Sequence, residues 1–419
     1  MRWSRQRIIC GYHLSSVLTQ VLIALTAVIV VGQLLSRLLA RVGQPPVIGE
    51  VLAGILLGPS LIGTEWSAKI LAPSAAPALG VIAQLGVILY MFLVGLELHL
   101  GQLRQRAPVT VAISYTSILL PFAAGSALAL YLYPRLSSPD VPFLSFTLFL
   151  GVAMSITAFP VLARILTDRG LTKTEIGGIA LSCAAIDDVT AWCLLAIVVG
   201  VARAEVGSAL FVALWAVIYI AFMYIVVKPA LARFVRTHGA AGETPTTTAT
   251  LLIALLLSAL VAEAIGIHAI FGAFLLGAIV PSDNPLAEAM IRQWKNLVTI
   301  LLLPAFFAFT GMRTRIDLVS GAEAWLLCGL ILFVAVAGKF GGATIAARLS
   351  GMTWRDSAVL GALMNTRGLM ELIVLNIGLE LGVISPALFS MMVIMALVTT
   401  MSAAPVLSLL HADKNVPRA

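Results

Sequence analysis

The sequence predicts an all-α polytopic membrane protein of thirteen transmembrane helices, built as two inverted six-helix repeats that each contain a discontinuous helix. Three observations carry that prediction. Of 419 residues, 60% are hydrophobic and 11% charged, with a mean hydropathy of +1.05, whereas soluble domains hold about 45–50% apolar and about 25% charged residues. The charges gather in short segments between long apolar runs, and three short motifs recur in the same order in both halves. A soluble globular protein is thereby excluded. No GxxxxGK[ST] occurs, so a Walker-type nucleotide site is not available to drive work, and anything moved across a membrane draws on a gradient or a partner.

A bilayer crossing takes about 20 mostly apolar residues. In order, the apolar runs fall at 17–39, 47–63, 79–98, 108–133, 143–166, 176–200, 208–235, 247–265, 268–281, 295–312, 325–347, 355–380 and 386–410, each bounded by charge or by Pro/Gly clusters. A basic tail, 1–16, precedes the first run, which is too long for a signal peptide and lacks a small-residue cleavage site, so it counts as a span. Runs 47–63 and 268–281 are short for a bilayer. A short tail, 411–419, follows the last run.

The 26 Lys and Arg outnumber 19 Asp and Glu. Lying between spans, they report topology and not a nucleic-acid partner. With the N-terminus outside, sixteen fall on the cytoplasmic side and eight on the other, with Lys339 and Arg367 inside spans. Basic loops are retained in the cytoplasm, so N-out and C-in is expected, in a bacterial plasma membrane, although the basic N-terminus opposes it. Cys10, Cys183, Cys193 and Cys328 have no CxxC spacing, which argues against a disulfide framework or a metal site. His13, His99, His238, His268 and His411 fall at span ends or in loops and are assigned no proton or metal chemistry.

The repeats match at an offset of seven spans. Ala53-Gly54-Ile55-Leu56-Leu57-Gly58 aligns with Gly272-Ala273-Phe274-Leu275-Leu276-Gly277, Gly95-Leu96-Glu97 with Gly311-Met312-Arg313, and Gly151 to Ser155 with Gly361 to Asn365. Spans an odd number of crossings apart point opposite ways, so the halves are inverted about a linking seventh span. Inverted repeats build secondary transporters with a site near the midplane.

The strongest chemical signal is Asp187-Asp188 in the middle of the sixth span, where each charge costs at least about 2.5–3.5 kcal/mol. Lys339, in the eleventh span, needs an anion. Arg367 and Glu371 lie four residues apart in the twelfth and share a face if that stretch is helical. Pairing Arg367 with Glu371, and Lys339 with one aspartate, leaves one carboxylate that a proton or a monovalent cation satisfies, and not both. The competing interpretation is that these charges only cross-link helices. Pro160 in the fifth span predicts a break at Thr157 to Phe159. The matched stretch, Asn365-Thr366-Arg367-Gly368, holds a glycine that permits the same unwinding. Two breaks meeting at mid-membrane offer carbonyls and threonine hydroxyls to a cation. Glu50 and Glu263, at or within run ends, are candidates for cation entry. A metal beyond a transported alkali cation, and a cofactor, are not expected.

These residues together resemble the sodium/proton exchanger superfamily, in its thirteen-span branch of bacterial and organellar monovalent cation:proton antiporters. The stretches that carry the resemblance are QPPVIGEVLAGILLGPSLIG from Gln44, FLVGLEL from Phe92, SITAFPVLARIL from Ser155, AAIDDVTAW from Ala184, FFAFTGMRTRI from Phe306 and NTRGLMELIVLNIG from Asn365. The resemblance implies a core of spans 4–6 and 11–13 with crossed broken helices. It also implies a dimerisation domain of spans 1–3 and 8–10, and a homodimer working as an elevator. It makes Asp188 the carboxylate that binds cation and proton, Asp187 the acid paired with Lys339, and Thr157 site-lining. Where relatives of the potassium-efflux branch continue into a nucleotide-binding regulatory domain, no such regulation in cis is expected here.

The expected activity is exchange of Na+ or K+ for protons by a homodimer in lipid, and not enzymatic catalysis. The alternatives are a cation channel or leak, disfavoured because no filter-like loop is present, and an exporter of a small organic solute, disfavoured by the intact acid pair.

Overall fold

The computed structural model describes residues 2–97, 107–171, 174–203, 209–238, 244–281 and 285–410. Their helices are, in order, α1 (Arg2–Ala40), α2 (Pro46–Leu57), α3 (Pro59–Ile62), α4 (Thr64–Ile70), α5 (Ala76–Glu97), α6 (Ala107–Leu136), α7 (Phe143–Ser155), α8 (Phe159–Asp168), α9 (Glu175–Arg203), α10 (Ala209–Phe222), α11 (Lys228–His238), α12 (Pro245–Ile265), α13 (Ala269–Ile279), α14 (Pro285–Leu297), α15 (Leu303–Arg313), α16 (Gly321–Val336), α17 (Gly342–Leu349), α18 (Trp354–Met364), α19 (Leu369–Glu380) and α20 (Pro386–Leu409). π-helical turns Met223–Val227, Val298–Leu302 and Ala337–Gly341 join α10 to α11, α14 to α15 and α16 to α17.

Among the described residues, nine helical stretches are long and apolar enough to cross a bilayer, or ten if α18 and α19, bent by 45° at their break, form one span. Three further apolar helices, α2, α7 and α13, are shorter. The two runs expected to be short are α2 and α13. The run at 143–166 is cut into α7 and α8. α1 reaches back to Arg2, so the residues expected as a tail continue the first helix. His99 and the 411–419 tail lie outside the described residues.

The helices group into two compact units. In the first, Met1–Tyr90 with Gln293–Leu318, α2 packs against both α1 and α15. Pro45 is extended and Pro46 opens α2, where a missing N–H costs nothing. The Ser36 hydroxyl of α1 donates to the Pro46 carbonyl at 2.7 Å. A β-carbon on Gly54 would strike the Phe307 carbonyl oxygen, one on Gly58 the Gly311 carbonyl oxygen, and one on Gly311 the Gly54 backbone. α2 and α15 therefore touch through main chain, as small residues allow between membrane helices.

The second unit is Met91–Arg292 with Val319–Ala419. Here α13 meets residues 91–97 of α5 in the same way: a β-carbon on Gly277 would strike the Phe92 carbonyl oxygen, and one on Gly95 the Phe274 carbonyl oxygen. Gly58 and Gly277 are matched positions of the expected repeat, and so are Gly311 and Gly95. α6 packs along α7, α9, α16 and α17, and α20 along α16, α18 and α19. Those helices enclose the buried charges.

Candidate functional site

Two interruptions build the site. α7 ends at Ser155, Ile156 and Ala158 are extended (ψ 135° and 92°), and α8 starts at Phe159. The break is thus Ile156–Ala158, one residue earlier than the proline predicts. Pro160 does not interrupt a helix from within. It takes the first turn of α8, where it lacks only an N–H that no helical carbonyl awaits. The second interruption follows α18, whose C-cap is Asn365, and ends where α19 starts at Leu369.

Gly368 does not serve there by conformational freedom, because its φ of 170° is ordinary extended backbone. It serves by size: a β-carbon there would stand 2.7 Å from Val161 Cγ2 of α8. The two breaks touch. The Ala158 N–H donates to the Thr366 carbonyl at 3.0 Å, and the Thr157 hydroxyl lies 3.2 Å from the Met364 carbonyl.

An interrupted helix leaves carbonyls at its C-terminal end unsatisfied. The two buried cations take them. Arg367 donates to the carbonyls of Ala153 (2.7 Å) and Met154 (2.6 Å) and to Glu371 Oε2 (2.9 Å), and Lys339 donates to the Ser155 carbonyl at 2.5 Å. Positive charge is thus placed at the negative end of α7. The four-residue spacing puts Arg367 and Glu371 on one face only where the chain is helical; Arg367 lies in the unwound segment, within the Asn365 to Gly368 stretch expected to break, and the pair closes across the first turn of α19 because the guanidinium is long enough to reach both helices. Glu371 Oε1, Arg367 Nε and Asn365 Oδ1 have no hydrogen-bond partner.

The adjacent aspartates differ sharply. Asp187 pairs with Lys339 at 2.9 Å and accepts from Ser114 Oγ at 2.6 Å, Ser117 Oγ at 2.8 Å and Thr157 Oγ1 at 3.0 Å. Asp188 is equally buried, yet neither carboxylate oxygen has a hydrogen-bond partner. The Phe159 N–H at the start of α8 faces the Asp188 carboxylate without meeting hydrogen-bond geometry. Asp188 opens on a cavity of about 10 Å³ lined by Ile156, Ala191, Trp192, Met370 and Val374, room for about one water-sized particle. A buried carboxylate without a donor is costly, and a proton or a cation at that cavity removes the cost.

The other sequence candidates stand elsewhere. Glu50 lies half-buried on α2, in the first unit, with its Cγ near Gly32 of α1. Glu263, exposed at the end of α12, accepts from the Ala269 N–H at 2.9 Å and so caps α13. The sequence reasoning passed over Ser114, Ser117 and Thr400. The Thr400 hydroxyl accepts from the Arg367 N–H at 3.0 Å and lies 2.6 Å from the Arg367 carbonyl, holding the second break from α20. Only helical phase relative to Asp187 could have marked the two serines, and a lone threonine carries no local signal.

Comparison with known proteins adds an independent line. A family described as "Sodium/hydrogen exchanger, transmembrane" matches residues 21–410. The Na+/H+ antiporter NhaS4 of Synechocystis sp. is 43% identical over 395 residues, covering 92% of this chain and 96% of that protein. Cation/H+ antiporter 15 of Arabidopsis thaliana is 37% identical over 394 residues, 92% of this chain and 47% of that one. K+/H+ antiporter 1 of Saccharomyces cerevisiae is 32% identical over 415 residues, 96% and 47%. The chain spans about half the length of the plant and yeast relatives. Among solved structures, the sodium proton antiporter MjNhaP1 from Methanocaldococcus jannaschii aligns with a TM-score of 0.59 over 95% of this chain and 97% of that one, at 13% identity, a likeness of fold.

Proposed function

The chain belongs to the sodium/hydrogen exchanger family, a family of transporters and not of enzymes, and on that premise we propose that it exchanges Na+ or K+ for protons, with Asp188 loaded by each in turn. It is an integral, multi-pass membrane protein. The observation that carries the proposal is the contrast within the acid pair: Asp187 is fully partnered, whereas Asp188 is buried beside a one-particle cavity with both oxygens unpartnered. A buried carboxylate is satisfied by one proton or one cation. Competition for that single position couples the two fluxes.

Around this chemistry the wider proposal is a thirteen-span protein of two inverted repeats. Counting α2, α13 and the α7–α8 pair as spans supports the number, and the matched glycine crossings support the repeats. The core is proposed to be spans 4–6 and 11–13, moving as an elevator against spans 1–3 and 8–10 of a homodimer, oriented N-out and C-in. Every buried partner of Asp187, Lys339 and Arg367 lies on those six core spans, which supports the choice of moving body.

The test is exchange in sealed liposomes holding the purified protein, with internal pH followed after Na+ or K+ is added against a pH gradient. Cation-dependent proton movement that disappears in Asp188→Asn is expected. Exchange retained in that variant overturns the role of Asp188, and uncoupled current without saturation overturns exchange.

A further inference from the structure

α7 and α18 are the half-helices that lead into the two breaks, and the matched stretches Gly151 to Ser155 and Gly361 to Asn365 close them. Four residues before each of those glycines stands a hydroxyl, Thr147 on α7 and Ser357 on α18. One helical turn puts hydroxyl and glycine on the same face. Each face packs on a neighbour, α7 on α6 and α18 on α17, and each neighbour directs a hydroxyl of its own at the glycine. A β-carbon on Gly151 would stand 2.9 Å from Ser126 Oγ of α6, and one on Gly361 would strike Thr344 Oγ1 of α17.

All four hydroxyl oxygens are buried, and none has a hydrogen-bond partner. A hydroxyl on a helix has a ready acceptor in the carbonyl four residues back. Thr116, Thr250, Ser350, Ser390 and Thr399 all use it, at 2.8–3.0 Å. Ser126 and Thr344 point across to the opposite helix instead, and Thr147 and Ser357 leave their own carbonyls alone as well. A buried hydroxyl without a partner is costly, so two such pairs at matched positions call for a shared ligand.

The spacing names it. Within each pair, one hydroxyl lies against the glycine and the other belongs to the residue one turn along, about 5–6 Å away. Two hydrogen bonds of about 2.8 Å cover that distance, which is the reach of one water molecule. The glycine keeps the space free of a side chain. At the second pair the Phe340 carbonyl oxygen, 2.8 Å from the same would-be β-carbon on Gly361, offers a third partner, and buried waters have about three.

We propose that each pair holds one internal water molecule, one bridging Ser126 and Thr147 between α6 and α7 and one bridging Thr344 and Ser357 between α17 and α18. The two sites fall at matched positions of the expected repeats, a turn or two behind the breaks and apart from the acid pair. Each fastens a half-helix to its neighbour through solvent. Neither depends on the exchange proposed above.

The experiment is a double-mutant cycle for each pair, read as the melting temperature of the purified protein in detergent. One cycle uses wild type, Thr344→Val, Ser357→Ala and the two combined; the other uses Ser126→Ala and Thr147→Val. Each single variant should melt lower than wild type, and each double variant no lower than about the worse of its singles, because the bridge is lost at the first step. A melting temperature that stays or rises when a hydroxyl is removed overturns that site, since the group was then dry and unpartnered. Losses that add also overturn it, because each hydroxyl then serves its own helix. A double variant that does not fold where both singles fold has lost more than either and overturns it too. Coupling in one cycle alone keeps that water and overturns the match between repeats.

Discussion

The main chain of Ala158 donates to the main chain of Thr366 at 3.0 Å. The two interrupted helices are thus tied to each other by backbone, with the Thr157 hydroxyl and the Arg367 guanidinium reaching across the same junction. Side chains at this junction therefore hold helix ends in place as well as carrying charge, and substitutions there should be judged on both counts.

On the proposed exchange, protons and cations compete for Asp188, and the apparent KM for the cation should then rise as pH falls. In the range where Asp188 is mostly protonated without cation, the rise should approach about tenfold per pH unit, with maximal rate at saturating cation less affected. Initial exchange rates at symmetrical pH across a cation series check this. A KM that does not move with pH argues for separate proton and cation sites.

Lys339 is neutralised by a partner and by two carbonyls, and removing it strands a buried anion. Lys339→Met should lower stability by about 3–5 kcal/mol. Adding Asp187→Asn should recover most of that, because the uncompensated charge is gone. Thermal melts of wild type, the two single variants and the double variant in detergent give the coupling directly, and independent, additive losses would contradict the pairing.

Arg367 holds two carbonyls and a carboxylate at once with a planar fork. Lysine keeps the charge but has no such fork. Arg367→Lys should cost about 1.5–3 kcal/mol for lost charge-assisted bonds, and exchange should fall with it because the end of α7 is released. The melting temperature and the transport rate are expected to drop together, whereas an unchanged melt would show that one carbonyl contact suffices.

Where glycine touches backbone, nothing flexible can yield. Gly54→Ala and Gly311→Ala should each destabilise by at least about 1–3 kcal/mol. Gly178, on α9 with nothing within 4 Å of its would-be β-carbon, is the control: alanine there should stabilise by up to about 1 kcal/mol through helix propensity. Comparing the three melts separates close packing from a general intolerance of alanine.

The acid pair and both breaks were legible in the sequence because each violates a local rule, whether charge in an apolar run, proline in a span or glycine beside arginine. The two shortened helices were legible from run length. The serines around Asp187 were not, since a hydroxyl can return its proton to its own helix and Ser114 and Ser117 break no rule on α6. Nor was the reach of Arg367 to the Ala153 and Met154 carbonyls of α7, because spacing along one segment says nothing of a partner on another helix. Pro160 illustrates the same limit: a proline announces an interruption nearby, and its side of the gap depends on which half-helix it opens.

The π-helical turn Ala337–Gly341 carries a consequence for comparing relatives. A π turn holds one residue more than the α turn it replaces, so sequence length and rod length part company there. A homologue one residue shorter at this point keeps both flanking faces in register, whereas the same deletion elsewhere in the rod would rotate everything beyond it by about 100°. A single-residue gap within Ala337–Gly341 therefore keeps α17 in register with α16, and whether it falls before or after Lys339 decides whether the ammonium still meets Asp187.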